Sequence, residues 1–138
     1  MKFCSFCGAA VRILVPAGDN RERHVCSDCE TVHYNNPRII TGCLPVYQNQ
    51  VLMCRRAIEP RLGFWTLPAG FLELGETVAQ GAERETVEEA GAQVNLGELY
   101  CMFNLPHIGQ VYMMYIAELP EPVFATNTDE SLEVRLFT

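Results

Sequence analysis

The chain has 138 residues, 49% hydrophobic and 20% charged, which suits one modest core with a small satellite and excludes a disordered tail. Seventeen acids against ten bases give a formal net charge of −7, which argues against a binder of nucleic-acid backbone. It does not exclude one small phosphorylated ligand, because a metal ion can reverse the local sign.

No run approaches the ~18 apolar residues of a membrane span, and no apolar core of a signal peptide precedes the first cysteines. Seven cysteines is an odd number for a closed disulfide framework, so a reducing, cytoplasmic setting is expected.

Residues 1–34 open the chain with two knuckles, Cys4-Ser-Phe-Cys7 and Cys26-Ser-Asp-Cys29, separated by 18 residues. Four thiolates at that spacing suit a tetrahedral Zn²⁺, which would replace the core so short a segment cannot build. With four thiolates there is no open position for water, so the site is expected to be structural. His24 and His33 lie nearby in sequence and could substitute for a ligand. Lys2, Arg12, Arg21 and Arg23 balance Asp19, Glu22, Asp28 and Glu30, so the segment is not a basic, nucleic-acid-binding surface.

Asn35-Asn36-Pro37 reads as a connector into a second domain, 35–138. Ile39–Leu44 and Val51–Cys54 flank Gln48-Asn49-Gln50 as a hairpin. Phe64–Gly70 is apolar and then broken by Pro and Gly. A helix is expected over about 77–90, with Thr77 and Gln80 as a capping box and Gly91 as the C-terminal glycine. Strands are expected at Leu99–Phe103, Val111–Ala117 and Glu133–Phe137.

On the helix, Glu85, Glu88 and Glu89 share one arc, spaced i, i+3 and i+4. Ala79, Ala82, Thr86 and Ala90 form a separate stripe of small, packable residues. Carboxylates so close repel one another, and a hard divalent cation such as Mg²⁺ or Mn²⁺ is the natural counter-charge.

The full string is Gly70-x5-Glu76-x7-Arg84-Glu85-Thr86-x-Glu88-Glu89-x-Gly91-Ala92. It resembles the Nudix hydrolase signature G-x5-E-x7-R-E-U-x-E-E-x-G-U, where U is a bulky aliphatic residue. The departures, Thr86 and Ala92, fall on packing positions. A cysteine ribbon ahead of this box is similar to the zinc-ribbon branch of the family. Asn36-Pro37-Arg38, Gly63–Gly70, Ala79–Ala82 and Glu130–Phe137 look most like the FAD/ADP-ribose diphosphatases of the chloroplast type. The Ser-Gln-Pro-Trp-Pro-Phe-Pro type motif of the NADH diphosphatases is absent from Phe103–Gln110.

The resemblance implies an α/β/α sandwich with a mixed sheet behind a zinc ribbon. It also implies metal-dependent hydrolysis of a nucleoside diphosphate linked to a second group. FAD or ADP-ribose, releasing AMP, is the expected substrate. NADH or a damaged nucleotide, and a non-catalytic nucleotide-sensing module, are the alternatives. Glu85, Glu88, Glu89 and the Ala69 carbonyl are the implied Mg²⁺ or Mn²⁺ ligands. Glu85, Glu130 and Glu133 are candidates for the general base. Arg84 joins the catalytic set, with Glu76 as its structural partner. Arg55 and Arg56 are candidate phosphate contacts, and Phe103, His107 and Tyr112 candidate stacking partners for a nucleobase. The family's C-terminal helix is not seen in the sequence, so the domain is expected to be incomplete at that end. A homodimer would be one way to cover the face that helix normally occupies.

Overall fold

A computed structural model describes residues 1–138 as two compact units, Met1–Asn36 and Pro37–Thr138. In the first, β1 (Val11–Leu14), β2 (Arg23–Cys26) and β3 (Val32–His33) form a small antiparallel sheet. Its buried residues are Cys4 and Cys26 alone, so side-chain packing contributes little to its stability.

The second unit is a seven-stranded mixed sheet with one long helix on one face. Its strands are β4 (Arg38–Tyr47), β5 (Gln50–Arg56), β6 (Trp65–Thr66), β7 (Ala69–Phe71), β8 (Asn95–Leu105), β9 (Gln110–Glu118) and β10 (Ser131–Phe137). The main path runs β10-β5-β4-β9-β8, with β6 beside β5 and β7 beside β4. β4 and β9 pair in parallel and every other pair is antiparallel. The β4–β5 hairpin closes at Tyr47↔Gln50, where the sequence places it.

The helix α1 (Val78–Ala90) has both expected ends. Thr77 Oγ1 accepts from the Gln80 amide at 3.2 Å, and the Gln80 side chain accepts from the Thr77 amide at 2.8 Å. Gly91 takes the left-handed conformation that a glycine adopts without penalty. Ala82, Thr86 and Ala90 are buried against the sheet with Cys43, Leu52, Cys54, Ala117 and Val134. Thr86 can stand at an aliphatic position because its hydroxyl donates back to the Ala82 carbonyl at 2.8 Å. Gly81 is needed beneath the helix, since an added Cβ would meet Thr41 Cγ2 at 2.6 Å.

β8 and β9 are longer than their patterns suggest. β8 passes through Gly97, where a Cβ would come within 2.9 Å of the Ile116 carbonyl oxygen, and it carries two register shifts against β9. These irregularities break the alternation that marks a strand in sequence. The sheet face away from α1 carries no helix from residues 37–138, and Phe103 and Ile116 are exposed there.

Candidate active site and zinc centre

In the ribbon, the four cysteine sulfurs all lie within 4.8 Å of one another. The Sγ separations are 3.4 Å for Cys7–Cys26, 3.5 Å for Cys7–Cys29 and 3.7 Å for Cys4–Cys29. A tetrahedral zinc with bonds of about 2.3 Å needs sulfurs about 3.8 Å apart, so the cradle fits the ion. Amides of Phe6, Asp28 and Cys29 point at the Cys4 and Cys26 sulfurs from 3.4 Å, which stabilises thiolates. His33 is not a fifth member of the set; its Nε2 lies 3.3 Å from Cys4 Sγ, beside the ligand. Cys43 and Cys54 are buried in the second unit, and burial pushes both thiols up, Cys54 to about 12, so neither is a ready nucleophile.

The second candidate site lies on α1. Sequence spacing puts Glu85, Glu88 and Glu89 on one arc, but their surroundings differ. Glu85 and Glu89 are each 6% exposed, while the Glu88 side chain is 46% exposed. Two features let carboxylates reach this depth. Gly70 leaves space for Glu85, whose carboxylate an added Cβ would strike. The Ala69 amide donates to Glu89 Oε2 at 2.9 Å. Burial is the first cause that pushes both carboxyls above their ordinary range, Glu89 to about 7. The negative charges of Glu85 and Glu130 push Glu89 further, and those of Glu88 and Glu130 act on Glu85 in the same sense. The Ala69 hydrogen bond and the Arg56 charge oppose the rise at Glu89.

Arg84 organises the cluster. Its Nε and Nη2 clamp Glu76 at 3.0 and 2.7 Å. Nη1 reaches Glu85 at 2.6 Å and Glu88 at 2.9 Å, and Nη2 also donates to the Phe71 carbonyl at 3.0 Å. These bonds engage all five donors of the guanidinium, leaving none for a substrate phosphate. The clamp holds Glu76 down to about 2, the Arg84 bond being the first cause and the Glu73 amide the second. Glu85 and Glu88 are thus drawn toward Arg84 and not gathered on one point. The Glu89 carboxylate has only the Ala69 amide as a hydrogen-bond partner. Two buried carboxylates and a third half-exposed one, carrying more negative charge than Arg84 neutralises, fit a hard divalent cation.

The remaining predicted residues divide sharply. Glu130 is brought beside the end of α1, where the Thr128 hydroxyl bonds both its amide and the Glu89 carbonyl. Glu133 is not. Val134 packs in the core under α1, so its neighbour Glu133 faces the other side of the sheet, where it pairs with Arg135 at 3.4 Å. Arg135 in turn lies over the Trp65 and Phe137 rings. Arg55 Nε donates to the Gly63 carbonyl at 3.0 Å and Arg56 Nε to the Pro60 carbonyl at 2.8 Å, so both side chains tie down the same loop. His107 is exposed on the 3-10 turn Pro106–Ile108.

Phe103 and Tyr112 do come together, stacked on each other at 4.9 Å with planes 8° apart. They line a cavity of about 230 Å³ with Leu44, Thr66, Leu67, Ala69, Tyr100, Cys101 and Met114. Sequence reading missed Leu44, Tyr100 and Cys101 as lining residues, because pairing across strands decides which residues share a wall. Ala69 belongs to both places: its amide holds Glu89 and it lines the cavity.

Gly70→Ala should displace the Glu85 carboxylate while the fold survives, because the clash is with the end of a flexible side chain. Mn²⁺ affinity, read by electron paramagnetic resonance, should fall by about 10–100-fold. Unchanged affinity would separate Glu85 from the cation site.

Two family models divide the chain: the zinc-ribbon "Nudix N-terminal" model matches residues 2–35 and the NUDIX domain model residues 36–138. The NAD-capped RNA hydrolase NudC of Vibrio atlanticus is 37% identical over 97 residues, covering 69% of this chain and 34% of the relative. The NudC of Vibrio cholerae is 37% identical over 102 residues, covering 68% and 33%. The chain therefore spans about a third of the length of these curated relatives. A NUDIX hydrolase crystal structure from Nitrosomonas europaea superposes with a TM-score of 0.94 at 55% identity, over 99% of this chain and 77% of that one. An ADP-ribose pyrophosphatase bifunctional with NMN adenylyltransferase, from Francisella tularensis, shares the fold at a TM-score of 0.64 and 24% identity, over 76% of this chain and 35% of that one. With its box glutamates placed on α1 and its four cysteines gathered in the ribbon, the chain belongs to the Nudix hydrolase family, in the branch that carries an N-terminal zinc ribbon.

Proposed function

We propose that this protein hydrolyses the diphosphate bond of a nucleoside diphosphate linked to a second group, with FAD or ADP-ribose preferred and AMP as one product. The observation that carries the reading is Ala69, which joins a buried carboxylate cluster to an aromatic-lined cavity. At about 230 Å³ the cavity is smaller than the roughly 300–1,000 Å³ of sites that enclose a whole drug-sized ligand. It suits one planar base stacked on the outer face of the Phe103–Tyr112 pair, with the diphosphate extending toward α1.

Glu85, Glu88, Glu89 and the Ala69 carbonyl would hold the divalent ion, which when bound supplies Lewis acidity at the diphosphate and lowers the pKa of water. Glu130 takes the proton of the attacking water as general base. The P–O–P bridge breaks as the new P–O bond forms. Glu133, on the opposite face, has no part in this step. Arg84 holds the carboxylates in place and touches no phosphate.

A second reading follows from the curated relatives, whose printed names specify NAD-capped RNA. It makes NAD, or the NAD cap of an RNA, the substrate. The segment Phe103–Gln110, which lacks the motif of the NADH enzymes, favours the first reading. A panel of FAD, ADP-ribose, NADH and NAD-capped RNA with Mg²⁺ or Mn²⁺ separates the two. FAD should yield AMP and FMN faster than NADH is cleaved. Preferential cleavage of NADH or capped RNA would select the second reading, and no turnover of any of the four would end both.

A further inference from the structure

The segment between β9 and β10 is fastened to the C-terminal end of α1. The Ala125 amide donates to the Ala90 carbonyl at 2.9 Å, and Gly91 makes room for it, since an added Cβ would meet Ala125 Cβ at 2.7 Å. Three residues on, the Thr128 hydroxyl forms a junction. It donates to the Glu89 carbonyl at 3.3 Å and accepts from the amides of Glu130 at 3.3 Å and Ser131 at 3.1 Å. A hydroxyl has one proton and two lone pairs, so this one is fully used. On its other side, the Glu130 carbonyl accepts from the Ala57 amide at 2.9 Å. The backbone of Glu130 is thus held at both its amide and its carbonyl.

Resting on the reading of Glu130 as general base, we propose that Thr128 is a positioning residue whose hydroxyl ties the backbone of Glu89 to that of Glu130. A threonine that only shaped a turn would bond the two amides that follow it. The bond to Glu89, a residue of the carboxylate cluster itself, is the additional fact. It sets the distance between the end of α1 and the loop bearing the base.

The test compares Thr128→Val, which keeps the shape and loses the hydroxyl, with Thr128→Ser, which keeps the hydroxyl. Each is made in the full chain, alone and with Glu130→Gln. Thr128→Val should lower kcat about 10–100-fold with KM little changed, since a small misplacement of a reacting group costs that much. Thr128→Ser should restore most of the rate. In the Glu130→Gln background, Thr128→Val should cost no further activity, because both changes remove the same interaction. Amide exchange reads the anchor without turnover: protection at Glu130 should fall in the Val variant and persist in the Ser variant. Undiminished protection in Thr128→Val, failure of Ser to rescue, or an equal loss in the Glu130→Gln background would overturn the proposal. If the wild type cleaves nothing in the panel, the functional reading fails by itself, and amide exchange still decides whether Thr128 holds this junction.

Discussion

Glu89→Gln should make the metal-free protein more stable and the enzyme nearly inactive. Burial and neighbouring negative charge raise the Glu89 carboxyl from its ordinary value of 4.5 to about 7. Between those two values the folded chain binds a proton that the unfolded chain has released. The stability contributed by the neutral carboxyl is therefore complete below about pH 4.5 and lost as pH rises through about 7. Glutamine keeps the shape and one acceptor for the Ala69 amide but never carries the charge. Thermal unfolding without divalent ion should show the wild-type Tm falling across this window more steeply than that of the variant. Added Mg²⁺ should raise the wild-type Tm and leave the variant nearly unmoved. The kcat of the variant should fall by about 10²–10³-fold, the worth of several kcal/mol of charge stabilisation. Near-normal turnover in Glu89→Gln, or an undiminished rise in Tm with Mg²⁺, would remove Glu89 from the cation site.

Removal of zinc should have the largest structural effect, and it should be confined to one unit. Only Cys4 and Cys26 are buried within residues 1–36, and both belong to the metal cradle. Binding free energies in zinc-finger peptides run to about 10–16 kcal/mol, far above what a sheet this small could supply by packing. Cys26→Ser, or stripping the metal under reducing conditions, should abolish amide protection over 1–36. Protection over α1 and the β4–β9 pair should remain, because their core contains none of these four cysteines. A ribbon that stays protected without zinc would show that its backbone pairing suffices.

What was legible in the sequence was local. The CxxC knuckles, the Thr77–Gln80 box, Gly91 and the 23 residues from Gly70 to Ala92 carry their meaning in spacing alone. Side-chain direction on β10 was not legible. A register shift between Ser131 and Glu133 interrupts the strand's alternation, so counting outward from Glu130 does not show that Glu133 turns away. The common arc of the three helix carboxylates was legible, but not their different burial, because the space above Gly70 and the Ala69 amide belong to another strand. The role of Arg84 was read only in part: the pairing with Glu76 follows from the box, but the engagement of all five donors depends on the Phe71 carbonyl and the two neighbouring carboxylates.

The two pinned ends of α1 have a consequence for how this protein tolerates change. A helix that slipped by one residue along its axis would also rotate by about 100°. Such a slip would carry Glu85 and Glu89 out of their places beside Gly70 and Ala69. The Thr77–Gln80 box at one end, and Ala125 and Thr128 at the other, oppose that screw motion from both sides. The azimuth of the helix glutamates is thus set by residues outside the carboxylate cluster. Variation in this family member should cost activity at these distant clamps before it costs the fold.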